Sequence, residues 1–173
     1  MDGHTLKNLI KRARAGDAKA FGELYGEFAK DLYRFALYTL KDPYDAEDAV
    51  QSAALIAYKS IPGLKNDSSF KSWFFKILYN ECLKILCSGS KKKEIFSADT
   101  SVIEDELPDF TGNSDLLSLI DSLCETDKAI IILSVFEGYS SKEIAGIIGS
   151  KAGTVRSRLS RLLSSLRKQI EGV

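Results

Sequence analysis

The sequence predicts an all-α fold of two small helical domains joined by a flexible acidic linker. Hydrophobic residues recur at helical spacing over most of the 173 residues, between helix caps and helix breakers. This periodicity stops over residues 88–113, where glycines, a proline, three consecutive lysines and a cluster of acids take its place. The short apolar run at 129–135 could form a strand in isolation, but caps on both sides favour a buried helix. We therefore place one domain at 1–87, the linker at 88–113 and a second domain at 114–173.

Four helices are predicted in the first domain, at about 5–15, 18–40, 43–61 and 70–87. Gly16 can end the first of them, and Asp17 can cap the second. Asp42 followed by Pro43 is a cap with proline at the first helical position, which starts the third helix. A Pro-Gly pair ends that helix, and a polar loop precedes the fourth.

Four helices are also predicted in the second domain, at about 115–124, 127–136, 141–148 and 151–170. Gly138 can end the second of these, and Ser140 with Glu143 has the spacing of a capping box, which starts the third. Gly149 ends that helix, and Ser150 is expected to cap the last one.

The composition is ordinary for a soluble globular protein, and it excludes several classes. No run approaches the roughly 18 apolar residues of a membrane span, and the three cysteines form no disulfide framework. Membrane insertion and secretion are therefore not expected, and the predicted location is cytoplasmic. His4 is the only histidine, and no paired cysteine motif or glycine-rich phosphate loop is present. We therefore predict no catalytic residue, no metal and no cofactor.

The formal net charge of zero is the sum of opposed patches. Residues 115–143 hold six acids against two lysines. Residues 151–170 hold no acid, but they hold the cations Lys151, Arg156, Arg158, Arg161, Arg167 and Lys168. A segment of this kind suits a nucleic-acid partner.

The basic segment coincides with a helix-turn-helix pattern. Ala145, Gly149 and Val155 supply a small residue at a helix crossing, a glycine for the left-handed turn, and a valine that packs the second helix onto the first. At about 100° per residue, the predicted core side of the last helix consists of Val155, Leu159, Leu162 and Leu166. Small residues and Arg161 lie opposite, which suits a helix in a DNA groove. A solvated helix without a partner is the alternative.

The third helix, which begins DPYDAEDAVQ, has an acidic outer side. Ala46, Val50 and Ala53 form a stripe of small residues for close packing, so the neighbouring acids face outward. Acids in the first turn also interact favourably with the helix dipole. The residues alone do not decide between this capping role and a docking surface for a basic partner.

The fourth helix, which begins FKSWFFKILYN, places Trp73 outside the arc of core residues. Asn80 and Lys84 lie on the same side, and Lys76 is nearby. A ring beside an amide and lysines suits stacking on unpaired bases. Packing of Trp73 against a neighbouring helix is the alternative, and spacing alone leaves both open.

In four successive segments the chain resembles the extracytoplasmic-function (ECF) group of the sigma-70 family. It has DPYDAEDAVQ, then SSFKSWFFKILYNEC, then an acidic linker, and finally GYSSKEIAGIIGSKAGTVRSRLSRLLSSLR. The match runs from about Asp17 to Arg167. Members of this group are small bacterial sigma factors with an N-terminal helical domain (sigma2) and a C-terminal one (sigma4). The resemblance implies a protein that is not an enzyme, binds core RNA polymerase and directs promoter-specific transcription initiation.

The resemblance also assigns residues to three surfaces. It implies contact with the clamp coiled coil of the largest polymerase subunit through Asp45, Glu47, Asp48 and Gln51. It implies capture of the melted −10 promoter strand through Lys65, Asn66, Asp67, Ser68, Ser69, Trp73, Lys76 and Asn80. It implies readout of the −35 element through Lys151, Thr154, Arg156, Ser157, Arg158 and Arg161. Core polymerase and promoter DNA are the implied partners, and members of this group are commonly held by an anti-sigma factor.

The chain departs from the family pattern near the end of the fourth helix. Many relatives carry an acidic residue four positions after the helix asparagine and a basic one three further on, where this chain has Lys84 and Cys87. The −10 preference set by this end of the helix need not follow the family. The alternative function is a helix-turn-helix regulator that binds an operator and is not a polymerase subunit. The acidic helix followed by the Trp73 helix argues against this alternative function, because a simple repressor has no reason to carry either helix.

Overall fold

The structure is a computed structural model that describes residues 2–89 and 114–171. The chain divides into two compact units, Met1–Lys92 and Lys93–Val173. Helices and turns make up the described residues, which include no strand, and this confirms the predicted all-α class. Most of the predicted linker lies outside the described residues, and its first two positions continue the last helix of the first unit.

The first unit contains α1 (Gly3–Arg14), α2 (Ala18–Leu40), α3 (Pro43–Ser60) and α4 (Phe70–Gly89). Two short 3₁₀ turns, Ile61–Gly63 and Asp67–Ser69, lie between α3 and α4. The bounds of the last three helices lie within two residues of the predicted ones. The first helix begins earlier than predicted because the Asp2 carboxylate accepts hydrogen bonds from the backbone N–H groups of His4 and Thr5.

The core of this unit is aromatic, and α2, α3 and α4 pack around it while α1 packs on α2. Phe35, Phe70, Phe74 and Phe75 are each at most 1% exposed. The inner side of α3 carries alanines, so its backbone can approach the other helices closely. This packing fixes which sides of α3 and α4 remain available to partners.

The second unit contains α5 (Ser114–Asp121), α6 (Glu125–Ile131), α7 (Ser141–Ile148) and α8 (Ala152–Glu171). A π-helical turn, Ile132–Phe136, continues α6, so the apolar run at 129–135 is helical as predicted. The capping box at the start of α7 is present, and Gly149 ends that helix with φ 71°. Val155 and Leu166 are buried. Leu159 and Leu162 are partly buried against the cluster that Leu166 forms with Ile120 and Ile131.

The predicted cap of α8 is wrong by one residue. The Ser150 N–H bonds to the Ala145 carbonyl at 2.9 Å, so Ser150 completes the turn that ends α7. The first hydrogen bond of α8 runs from the Val155 N–H to the Lys151 carbonyl at 3.0 Å, which puts Lys151 at the cap position. The glycine turn, rather than a side-chain cap, therefore sets where α8 begins.

Candidate nucleic-acid interface

The outer side of α3 presents polar side chains to solvent. Four exposed residues form what we call the acidic face: Asp45, Glu47, Asp48 and Gln51. Asp42 starts the helix, and its Oδ1 accepts a hydrogen bond from the Asp45 N–H at 2.9 Å. The small residues Ala46, Val50 and Ala53 are buried on the opposite side, as predicted. Asp42 is therefore the side-chain cap, Asp45 lies in the first turn, and all four residues of the acidic face are exposed.

Sequence reasoning missed two apolar residues beside the acidic face. Leu55 is 62% exposed and Tyr44 is 79% exposed. Leu55 lies four residues after Gln51 and seven after Asp48, so all three share one side of the helix. That spacing could have revealed Leu55. The surface therefore offers an apolar contact point among its charges.

The loop between α3 and α4, residues 65–69, is held by its own polar side chains. Asn66 Oδ1 accepts hydrogen bonds from the Ser68 N–H at 3.0 Å and from Ser68 Oγ at 2.8 Å. Ser69 Oγ donates to the Asn66 carbonyl at 2.7 Å. Lys65 is exposed, whereas the Asp67 carboxylate accepts a hydrogen bond from Arg14 of α1. Asn66 and Asp67 thus have structural contacts in addition to their predicted roles.

Trp73 lies at the edge of the aromatic core and is partly exposed. Its ring centroid lies 5.8 Å from that of Phe70 and 6.5 Å from that of Phe74, so the indole packs against two core rings. Lys76 and Asn80 are exposed one and two turns further along α4. The two alternatives for Trp73 therefore combine, because the ring contacts the core and still reaches the surface.

The loop 65–69 and the outer side of α4 adjoin each other, since the 3₁₀ turn leads directly into α4. We call this area the strand-capture surface. It comprises Lys65, Asn66, Asp67, Ser68, Ser69, Trp73, Lys76 and Asn80. It combines an aromatic edge, an amide and two exposed lysines, which suits single-stranded nucleic acid. Lys84 is exposed further along α4, where its Nζ pairs with Glu81.

The start of α8 presents small and basic side chains. We call the residues predicted there the reading face: Lys151, Thr154, Arg156, Ser157, Arg158 and Arg161. All are exposed except Arg158, which is partly exposed. Ser157 Oγ donates to the Gly153 carbonyl at 3.0 Å, and Arg161 Nε donates to the Ser157 carbonyl at 3.3 Å. These bonds hold both side chains close to the helix, so α8 keeps a narrow profile suited to a major groove.

Arg158 differs from the other cations of the reading face. Its Nε lies 3.4 Å from Oδ1 of Asp127 on α6. Only 21% of the Asp127 side chain is exposed, so this carboxylate partly neutralises Arg158. No local sequence pattern indicated the pair, because its members lie 31 positions apart.

Neither a metal centre nor a membrane span is found in the part of the chain that the structure describes. Across residues 2–89 and 114–171, no group of His, Cys, Asp and Glu side chains is placed to hold a metal ion. No helix in the same ranges is long and apolar enough to cross a membrane.

Comparison with known proteins gives consistent matches over most of the chain. Residues 24–90 match the family described as Sigma-70 region 2, and residues 114–166 match Sigma-70, region 4. The RNA polymerase sigma factor SigV of Bacillus subtilis is 36% identical over 144 residues, which span 82% of this chain and 85% of SigV. The ECF RNA polymerase sigma-E factor of Escherichia coli K12 is 27% identical over 187 residues, with 94% and 93% covered.

A solved structure is similar in fold as well. It contains the sigma factor RpoE from Bartonella quintana in complex with the anti-sigma factor NepR. The TM-score is 0.71 at 25% sequence identity, and the match covers 89% of this chain and 98% of the other.

Proposed function

The chain belongs to the ECF group of the sigma-70 family of RNA polymerase sigma factors, and we propose which of its surfaces performs each function of such a factor. It binds core RNA polymerase and directs promoter-specific transcription initiation. The chain itself catalyses no reaction in this proposal, because the polymerase forms the phosphodiester bonds. Its place of action is the cytoplasm, where the polymerase works.

The acidic face of α3 is the proposed contact with the clamp coiled coil of core polymerase. The observation that carries this role is a set of four exposed residues above a buried alanine stripe: Asp45, Glu47, Asp48 and Gln51. Fixed acids on a rigid helix complement a basic partner and speed its association. Leu55 adds an apolar anchor of the kind that interface centres use.

The other two surfaces are the proposed DNA contacts. The strand-capture surface, in a sigma2-like domain at 1–87, takes the melted −10 strand through the exposed edge of Trp73 and the nearby lysines. The reading face, in a sigma4-like domain at 114–173, takes the −35 element as duplex. Its cations and small side chains support this role, since arginine pairs with guanine edges and phosphates.

An anti-sigma factor is a further proposed partner. The Bartonella relative is solved bound to its anti-sigma factor. A protein of that class that binds this chain should compete with core polymerase for it.

The decisive experiment combines the purified chain with core RNA polymerase and a pool of linear templates. Each template carries randomised DNA upstream of a barcoded transcribed region, and the barcodes of run-off transcripts are sequenced. We expect the chain to co-elute with core and to enrich templates that share two elements at a fixed spacing. Core polymerase alone is the control. A chain that binds selected DNA but neither co-elutes with core nor yields transcripts would be the operator-binding regulator instead.

A further inference from the structure

An ion pair joins α1 to the strand-capture surface. Arg14 Nη1 donates to Asp67 Oδ1 at 3.1 Å, across 53 residues of sequence. The side chains are 36% and 21% exposed, so water screens the pair only in part. α1 also packs against both 3₁₀ turns that precede α4. The last turn of α1 therefore supports the loop that the proposed function assigns to the −10 strand.

Asn66 and Ser68 bond within the loop, and Ser69 Oγ donates to the Asn66 carbonyl. At the end of the loop, Ser72 Oγ of α4 donates to the Ser69 carbonyl at 3.1 Å and ties the loop to the helix that follows it. The bond from Arg14 to Asp67 ties the same loop to α1, which Arg14 joins to it across 53 positions of sequence.

Charge gives the same pair a second consequence. A carboxylate on a surface that approaches DNA repels the phosphates, and the repulsion grows when the carboxylate has no cation beside it. Arg14 lies in salt-bridge contact with Asp67 and offsets its charge. Because the Arg14 guanidinium bonds to Asp67, we expect Arg14 to affect a bound DNA strand by way of the loop and not by direct contact.

We propose that Arg14 is a positioning residue for promoter opening: it holds the loop 65–69 through Asp67 in the conformation that accepts the melted strand, without contacting DNA itself. The inference rests on the proposed function, because the loop matters only if this surface takes single-stranded DNA.

A double-mutant cycle tests the inference in the full-length chain bound to core polymerase. The variants are Arg14→Ala, Asp67→Ala and their combination, and the DNA is a fork-junction probe of the promoter that the wild-type protein selects. We expect Arg14→Ala to weaken probe binding about tenfold, within the range of coupling in such networks. The double variant should lose no more than the larger single loss, since both substitutions remove the same tie. Binding to core should stay unchanged.

Arg12→Ala is the matched control, because Arg12 lies on the same helix and pairs with Asp17 at the turn into α2 rather than with the loop. It should bind the probe like the wild-type protein. Arg14→Gln, which keeps a polar side chain but shortens it and removes the charge, should lose affinity as Arg14→Ala does. Both Arg14 variants should melt at the temperature of the Arg12 control, because Leu9, Ile10 and Ala13 hold α1 on its neighbours.

The salt dependence separates positioning from contact. A residue that neutralises a phosphate lowers the slope of log affinity against log salt by about one when it is removed. We expect the slope of the double variant to equal that of Asp67→Ala, a comparison in which no uncompensated Asp67 carboxylate alters the charge near the DNA. A reduced slope, or losses of the two single variants that add, would make Arg14 a DNA contact and overturn the inference. Wild-type affinity of Arg14→Ala would also overturn it.

The transcription assay described above, run on the wild-type chain and followed by the probe-binding cycle, distinguishes this inference from the proposed function. If the wild-type chain gave no promoter-specific transcripts with core, the proposed function would fail and the inference with it. If the wild-type chain were active and Arg14→Ala matched it, the inference alone would be wrong.

Discussion

Arg158 and Arg161 lie one turn apart on the reading face, but they have different neighbours. The Asp127 carboxylate lies 3.4 Å from Arg158 Nε and offsets its charge. Arg161 bonds only to the backbone of its own helix among the contacts described, and it is exposed. A cation that keeps more of its charge attracts DNA more strongly, so Arg161 should contribute more to binding than Arg158.

Replacement of Arg161 tests the orientation of α8. Arg161→Ala should weaken binding to a −35 duplex by roughly 1–3 kcal/mol if the guanidinium contacts a base edge, and it should relax preference at one or two positions. Anisotropy titrations against the selected duplex and single-base variants measure both effects. Lys168→Ala, two turns further along α8, is the control and should cause a small uniform loss. Unchanged binding of Arg161→Ala to every DNA would show that this side of α8 faces away from DNA.

The three thiols should differ sharply in reactivity. Cys82 is buried on the core side of α4, and burial raises the pKa of its thiol to about 12. Since the thiolate is the reactive form, Cys82 should resist alkylation near neutral pH. Cys87 and Cys124 are exposed and should react. Mass spectrometry should find two labels on the native protein and a third only after unfolding in guanidinium. Rapid labelling of Cys82 in the native protein would contradict the burial of this residue on the core side of α4.

At the scale of the element, helix starts were predictable wherever a side chain closes the first turn. Asp17, Asp42 and Ser140 cap their helices as predicted, since the cap lies within three residues of the N–H that it satisfies. The start of α8 was not predictable in this way. The Ser150 N–H bonds to the Ala145 carbonyl in the turn at Gly149, so Ser150 belongs to the end of α7 and does not cap α8.

The partners of site residues were less predictable than the faces that those residues occupy. Helical periodicity places the acidic face and the reading face, because a side chain's direction follows from its position in the helix. The contacts of Arg14 with Asp67 and of Arg158 with Asp127 depend instead on how distant helices pack. No local pattern contains that information.

The acidic face can be tested by reversing its charge. Asp45→Lys with Asp48→Lys should leave the fold intact, because both residues are exposed while the neighbouring alanines form the buried contact. The double variant should lose association with core polymerase, since like charges would then meet a basic surface. Circular dichroism and a pull-down with core measure the two properties.

A matched control keeps the change of net charge constant. Glu23→Lys with Glu27→Lys reverses two exposed acids of α2 instead. This control should still bind core, so a loss confined to the Asp45 and Asp48 variant would be local rather than an effect of net charge. A folded Asp45 and Asp48 variant with wild-type affinity for core would rule out docking through this face.

At the scale of the whole molecule, the two units expose different chemistry. The first unit presents an aromatic edge with lysines, whereas the second presents cations among small side chains. Reading closed DNA in the major groove requires only the second kind of surface. Opening the duplex requires the first kind, because exposed bases lose stacking that another ring must replace. Duplex recognition and strand opening should therefore be separable by mutation.

Trp73 is the residue on which that separation depends. A protein ring that stacks on an unpaired base contributes roughly 1–3 kcal/mol, and Trp73 is partly exposed beside Lys76 and Asn80. Trp73→Ala should keep core binding and closed-complex formation nearly intact while sharply reducing open-complex formation. A pre-melted bubble template should restore much of the lost transcription, since the variant no longer has to stabilise melting. Permanganate footprinting on duplex and bubble templates measures this difference.

The contacts of Trp73 with the core require a control for folding. Its ring packs against Phe70 and Phe74, so Trp73→Ala removes core contacts as well as the exposed edge. Trp73→Phe keeps an aromatic ring for the core contacts and for stacking on an unpaired base, and it should retain most of the opening activity. The expected pattern is a folded Trp73→Ala protein that transcribes the bubble and fails on the duplex, with Trp73→Phe active on both. If Trp73→Ala unfolds, or opens duplex promoters as the wild-type protein does, the indole serves the core and another group stabilises the melted strand.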